Sequence, residues 1–445
     1  MSTFAVTAQL DARGAPVGQS YVPTCSLPRG TNRPVQSRMS PPRIGIWFIG
    51  AKGGVAATAS LGLAALQKGL AETVGLVSEL PQFVGLDFAE WKALVVGGHD
   101  IRDSTLGDTV DRLRADSRVL DAALVKACRP ELDAINGRIR PGSLINCGDT
   151  IRGLAGPAMG DFADEPAKET IQRLQTDLHD FQRQCAVERV IVVNVASTEP
   201  AADAVKLPDR WADLERLIET SSAHNLPASS LYAIAALDLG MPYINFTPSL
   251  GATPSAIQEL AALRGTCHAG QDGKTGETLL KSVLAPMFAA RNLEVLSWVG
   301  HNIFGNLDGL ILEDPANKAA KIKGKDQLVA GILGYQPQTL VSIEYIRSLG
   351  DWKTAWDHIH FRGFLGTPMT LQFIWQGCDS LLAAPLVLDL VRFVELAHRH
   401  GEVGVLSHLG SFFKQPLGLA DHDFSRQFSL LCEWAGRLVS SRSAP

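Results

Sequence analysis

Lysines at 318, 321, 323 and 325 lie close together, and Lys353 and Lys414 follow further along the chain. Lys321 and Lys325 are four apart, so on a helix they share one face. A short lysine run can be no more than a solvated helix face. If the ammonium groups instead converge in one cleft, each depresses the pKa of the others. Lysines tuned in that way can transfer a proton near neutral pH, hold a phosphate and stabilise an oxyanion. Carboxylates to balance them are available at Asp308, Asp351 and Asp379.

A second chemical feature is the turn Gly50-Ala51-Lys52-Gly53-Gly54-Val55, directly after the apolar run Arg43 to Ile49. Glycines between a strand and a helix let backbone N–H groups approach a pyrophosphate at the helix N-terminus. The spacing is not a strict G-x-G-x-x-G, and the same glycines could simply close a tight turn. A carboxylate beyond the second strand would hold ribose hydroxyls, and Glu79, Asp100 and Asp103 are candidates. The triplet Gly273-Lys274-Thr275 resembles the end of a Walker A loop, but His268 stands where the earlier glycine is required. His358 with His360, and His398 with His400, are spaced for a strand face and have no third partner at a metal-site interval. No Gly-x-Ser-x-Gly elbow or Cys/His nucleophile pattern is present.

The elements that must position these groups read as α/β, with a Rossmann-type doubly wound parallel sheet. After the first strand and turn comes a helix with Leu63, Leu66 and Leu70 at helical spacing, then a short strand at Val74 to Val77. Further strands are expected at Ser143 to Asn146, Arg189 to Val195 and Pro242 to Phe246, with helices at 171–181 and 254–263. From about 249 to 368 the strands lengthen and alternate, as at Glu294 to Val299 and Thr339 to Arg347. We therefore expect a Rossmann domain over 43–248, an inserted α+β catalytic and oligomerisation domain over 249–368, and a return to the first domain over 369–445. Residues 1–42, rich in Pro, Gly and Ser, read as a disordered extension.

Composition bounds the function. A net charge of −5 gives no reason to expect nucleic acid or an anionic membrane as partner. The most apolar late stretch, Leu381 to Ala397, is interrupted by Asp389, Arg392 and Glu395 and reads as a buried or amphipathic helix rather than a membrane span. The 7 cysteines are scattered, without a C-x-x-C pair, as expected of reduced thiols in a cytoplasmic protein.

Several ordered segments from about 43 to 415 together resemble the myo-inositol-1-phosphate synthase family, most closely its archaeal form. They are Val95-Val-Gly-Gly-His-Asp-Ile-Arg-Asp103, Val195-Ala-Ser-Thr-Glu199, Gly240-Met-Pro-Tyr-Ile-Asn-Phe-Thr-Pro248 and Gly270-Gln-Asp-Gly-Lys-Thr-Gly-Glu-Thr278. Asn302-Ile-Phe-Gly-Asn-Leu-Asp-Gly309, Asp351-Trp-Lys353, Asp379-Ser-Leu-Leu-Ala-Ala-Pro385 and Ser411-Phe-Phe-Lys-Gln-Pro416 follow. The resemblance implies an NAD-dependent cyclisation of glucose 6-phosphate to inositol 1-phosphate by a homotetramer. Oxidation at C5 acidifies the C6–H, the resulting enolate attacks the C1 aldehyde, and returned hydride fixes the ring.

The resemblance places catalytic lysines at Lys321, Lys325, Lys353 and Lys414, with Asn302, Asp308, Asp351 and Asp379 as supporting polar groups. It places Gly50, Ala51, Gly53, Gly54, Val55, Asp100, Ser197, Thr198, Asp272 and Thr275 around NAD. A divalent cation for the aldol step is left open, with no ligands assigned. Leu279 stands where the eukaryotic pattern has a lysine, and Leu310 where the family's D-G-K triplet has one. Alternative readings are the same scaffold cyclising another sugar phosphate, a plain NAD-dependent dehydrogenase, and a nucleotide-binding sensor without turnover.

Overall fold

A computed structural model describes residues 42–443, apart from 163, 201–206, 221–225 and 314–327. The chain begins with β1 (Ile44–Ile49), fully buried, and α1 (Gly54–Lys68), which ends at Gly69 with φ 68°. Next come β2 (Leu94–Asp100), α2 (Leu106–Ser117), α3 (Ala122–Asn136), β3 (Ile139–Pro141) and the single turn α4 (Asp149–Arg152). Then follow α5 (Ala167–Gln184), β4 (Arg189–Asn194), α6 (Trp211–Thr220), α7 (Ala228–Asp238), β5 (Tyr243–Asn245), α8 (Ser255–Leu263) and β6 (Cys267–Gly270).

The second half holds α9 (Gly276–Ala290), β7 (Glu294–Phe304), α10 (Leu307–Ile311), β8 (Gln338–Tyr345), β9 (Trp352–Arg362) and β10 (Pro368–Cys378). It closes with α11 (Asp379–Arg399), β11 (Gly404–Val405) and α12 (Phe424–Ser443).

The first sheet is seven-stranded in the order β11-β6-β5-β4-β1-β2-β3, and every pair is parallel. Both faces are covered, as parallel strands require. Ile44, Ile46 and Phe48 of β1 face a core shared with α1, α3, α11 and α12, while Trp47 and Ile49 face α5, α7 and α8. The second sheet is four-stranded, β10-β9-β7-β8, with α9 against one face.

The doubly wound expectation holds, with two local corrections. Val74 to Val77 is not a strand: Gly75 has φ 91° and Val74 is exposed. The neighbouring amides of Val77 and Ser78 donate to the Asp389 carboxylate instead, and β2 takes the place beside β1. Ser143 to Asn146 is likewise irregular, because Ser143 N–H donates to the Tyr232 hydroxyl and Asn146 turns to φ 47°.

Strand pairing divides the range near the insertion expected over 249–368 between the two sheets. β6 pairs with β5 in the first sheet, and β10 pairs with β9 from Pro368 to Cys378. The second sheet and its helix α9 therefore lie between 271 and 378.

Candidate functional site

A cavity of about 670 Å³ runs along the carboxyl edge of the seven-stranded sheet to the second sheet. Open α/β sheets bind ligands at that edge. Its first wall is the glycine turn. Gly50 has φ 81°, and a Cβ there would lie 2.7 Å from Ala196 Cα. The turn is pinned by Gly50 and Ala51 N–H groups donating to the His99 carbonyl at 2.9 and 3.0 Å. Gly53 then N-caps α1 without a side-chain cap, which leaves first-turn N–H groups for a ligand.

Gly50, Gly53, Gly54, Val55, Asp100, Ser197, Thr198, Asp272 and Thr275 all line this cavity; Ala51 is buried beneath it. The Asp100 carboxylate is already engaged. Lys52 N–H donates to Oδ2 at 2.7 Å and Arg102 N–H to Oδ1 at 2.9 Å, so Asp100 braces the turn. Glu79 lies outside the cavity lining and pairs with Arg392 of α11 at 2.5 Å. It is not the ribose carboxylate that its sequence position suggested.

The second wall brings together Asp308, Asp351, Lys353, Asp379 and Lys414. Lys414 is presented by a backbone zipper in which its N–H donates to the Asp272 carbonyl and Gln271 N–H to the Gln415 carbonyl. Its Nζ donates to Asp272 Oδ1 at 2.9 Å. Lys353 on β9 lies 3.7 Å from Asp379 Oδ1, and its Nζ sits 5.0 Å from the Phe304 ring centroid. Lys321 and Lys325 lie outside the described residues.

Asp351 joins the two walls. Its carboxylate accepts from Ser380 N–H (2.9 Å), Ser380 Oγ (2.8 Å) and Asn306 Nδ2 (3.2 Å). Ser380 Oγ in turn packs where a Cβ on Gly54 would lie, at 2.5 Å. Burial, and then the nearby Asp379 charge, push the Asp351 carboxyl up to about 6.

A carboxyl with a raised folded-state pKa stabilises the fold fully only below its unfolded value, and loses that contribution as pH rises through about 6. The difference in unfolding free energy between wild type and Asp351→Asn is therefore expected to shift by roughly 2 kcal/mol between about pH 4 and 7. Parallel urea titrations across that range check this, and a constant difference would contradict it.

A smaller chamber opens off this wall, lined by Thr275, Glu277, Thr278, Asn302, Phe304, Ile343, Lys353 and Lys414. Asn302 is fully buried, and neither its Nδ2 nor its Oδ1 has a hydrogen-bond partner among the described residues. Leaving such a group unpaired costs about 1–3 kcal/mol, so its place beside two lysines suits a polar ligand. Thr275 N-caps α9 with no side-chain cap bond, so first-turn N–H groups of that helix also face this region. Chamber, lysines and helix terminus together make an anion seat. Leu279 and Leu310 line neither space.

No pattern in the sequence pointed to several neighbours. Lys281 is buried against Glu277 (2.6 Å) and Asp357 (3.7 Å), which balances the Glu277 charge at the anion seat. Glu199 ends the Val195 segment quoted above, yet nothing in its spacing marks it as a cavity wall. Burial pushes it up to about 7, and it accepts from Ser229 N–H at 2.9 Å. His358 and His360 do share a face of β9, whereas His398 and His400 fall at the end of α11. Among the described residues, no three His, Cys, Asp or Glu converge as a metal site. No helix among them is long and apolar enough to cross a membrane.

Known proteins match both the sequence and this arrangement. An inositol-3-phosphate synthase 1 of Bacteroides thetaiotaomicron is 31% identical over 412 residues, covering 88% of this chain and 93% of that protein. An inositol-3-phosphate synthase of Spirodela polyrhiza is 31% identical over 397 residues, covering 80% and 75%. The crystal structure of inositol-3-phosphate synthase from Caenorhabditis elegans superposes with a TM-score of 0.78 at 25% identity, covering 90% of this chain and 86% of that one. A myo-inositol-1-phosphate synthase-related protein from Thermotoga maritima gives 0.71 at 25% identity, covering 88% and 98%. The sequence model of an NAD-binding family described as myo-inositol-1-phosphate synthase matches residues 44–436, and the chain belongs to that family.

Proposed function

We propose that the protein is an inositol-3-phosphate synthase, converting D-glucose 6-phosphate to 1L-myo-inositol 1-phosphate with NAD. The observation that carries this reading is the buried Asn302 amide, without a hydrogen-bond partner among the described residues, in one chamber with Lys353, Lys414 and the α9 N-cap Thr275. One end of the cavity is thus built for a pyrophosphate and the other for a monophosphate ester carrying hydroxyls.

NAD fits the first end: Gly50 admits close backbone approach, and the uncapped N-terminus of α1 offers N–H groups to its phosphates. When bound, NAD supplies the redox chemistry, accepting hydride from C5 and returning it. The protein does the rest. The α9 terminus, Asn302 and the two lysines hold the phosphate and orient the sugar chain. Lys353 or Lys414 then takes the C6 proton, and the other ammonium holds the enolate and developing alkoxide oxygens. Asp379 beside Lys353 and Asp272 beside Lys414 aim the two side chains, and the one that takes the C6 proton does so as the neutral amine. Lys321 and Lys325 enter through the family resemblance.

The reading extends to a homotetramer, supported by the second sheet's open face, where Leu340, Trp356 and Ile374 are exposed. It also extends to a cytoplasmic location, supported by six free cysteines among the described residues.

Incubation with glucose 6-phosphate and NAD, followed by phosphorus NMR, is expected to give inositol monophosphate without net NADH. A chelator added in parallel decides whether a divalent cation assists. Accumulating NADH with an oxidised sugar would instead establish a plain dehydrogenase.

A further inference from the structure

Lys274 is the lysine of the Gly-Lys-Thr triplet, and the chemistry above makes no use of it. It lies between Asp272 and Thr275, both in the cavity wall, yet its own side chain runs the other way and is 2% exposed. Gly273 fixes this direction: it is pressed on the Phe246 ring, where a Cβ would lie 2.2 Å from ring carbons. On the far side the Lys274 ammonium donates to Gln427 Oε1 of α12 and lies 5.9 Å from the Phe424 ring centroid. Gln427 is itself fully buried, and its Nε2 donates to the Asp421 carbonyl at 2.6 Å. That second bond turns the Gln427 oxygen toward Lys274.

The segment around Lys274 is held from two other sides, by backbone bonds and by the Lys414–Asp272 ion pair. Asp272 N–H donates to the Thr247 carbonyl and Gly273 N–H to that of Phe246, while Lys274 N–H donates to the Phe412 carbonyl. The Lys274–Gln427 bond is thus the side-chain anchor joining this strap to the C-terminal helix. Burying an ammonium is costly, and burial depresses this one to about 7. An apolar side chain would fill the same space more cheaply, so volume alone does not account for a lysine.

We propose that Lys274 is a positioning residue. By bonding Gln427 it clamps the strap that carries Asp272 and Thr275, and so sets where the Lys414 ammonium and the α9 terminus meet the substrate. The inference rests on the functional reading above, because it assigns those groups to the reaction.

Lys274→Met, Gln427→Leu and the double variant test it. Each single variant is expected to lose kcat by on the order of ten- to a hundredfold, with the fraction of sites that bind NAD unchanged. The double variant, whose two partners are both apolar, should regain wild-type stability but remain slow. Hydrogen exchange should quicken at the amides of 271–275 and 412–415 in all three, and stay as in wild type across β1 and β4. Wild-type kcat in Lys274→Met, or a loss matching only the loss of NAD-binding sites, overturns the proposal. If the wild type does not turn over glucose 6-phosphate, the functional reading falls. Exchange at the strap then decides the anchor separately: unchanged protection in all three variants rejects it.

Discussion

Lys414→Met is expected to lower kcat by at least about a thousandfold while leaving the NAD dissociation constant within about threefold of wild type. Lys414 is presented between Phe413 and Gln415 by the backbone zipper to 271–272, so removing its amine does not move the backbone. What is lost is a cation that reaches both the main cavity and the phosphate chamber. The partner left behind is Asp272, whose side chain is 9% exposed. Stranding a carboxylate at that depth costs a few kcal/mol, so part of any loss in a crude assay is loss of fold. Adding Asp272→Asn removes the stranded charge. The double variant should recover stability but not turnover. Single-turnover kinetics with calorimetric titration of NAD separate the two effects, and near-wild-type kcat in Lys414→Met would remove this lysine from the chemistry.

Gly50→Ala is expected to abolish NAD binding and to destabilise the fold by roughly 2–4 kcal/mol. Two causes add. The left-handed φ of 81° is strained for any L side chain, and the new Cβ meets Ala196 backbone at 2.7 Å, which cannot swing away. Gly53→Ala is the control, since its φ is −67° and a Cβ there would meet only the Gly50 carbonyl, at 3.0 Å. It should weaken NAD binding less and cost little stability. Calorimetric titration and urea unfolding of both variants check this. Equal effects at the two positions would show that the turn is held by something other than the Gly50 conformation.

The glycine turn was legible because it is local: a residue type, a spacing and a neighbouring element, whereas Lys353 and Lys414 were singled out through the family resemblance. The strand Arg189 to Val195 and the helix around Leu174 were legible for the same reason, since burial on one or both faces writes a period into the chain. What was not legible depends on partners far away in sequence. Glu79 had the right offset after the first helix, but Arg392, more than three hundred residues on, takes its carboxylate. Asp100 does line the cavity, but its bonds to the Lys52 and Arg102 backbone, which brace the turn, could not be read from spacing. The Gly-Lys-Thr triplet lacks the earlier glycine of a Walker A loop, and only the fold shows that its lysine faces Gln427. The link from Gly54 through Ser380 to Asp351 and Asn306 joins four segments that no periodicity connects.

The central claim is a closed redox cycle within one active site, in which the hydride removed from C5 returns to the same carbon. Glucose 6-phosphate carrying deuterium at C5 tests it most directly, with unlabelled NAD present and products read by proton and deuterium NMR. The account predicts inositol phosphate that keeps the deuterium on the carbon derived from C5, with none in the free NADH pool. Deuterium recovered in NADH, or a product from which it has been lost, would contradict the cycle.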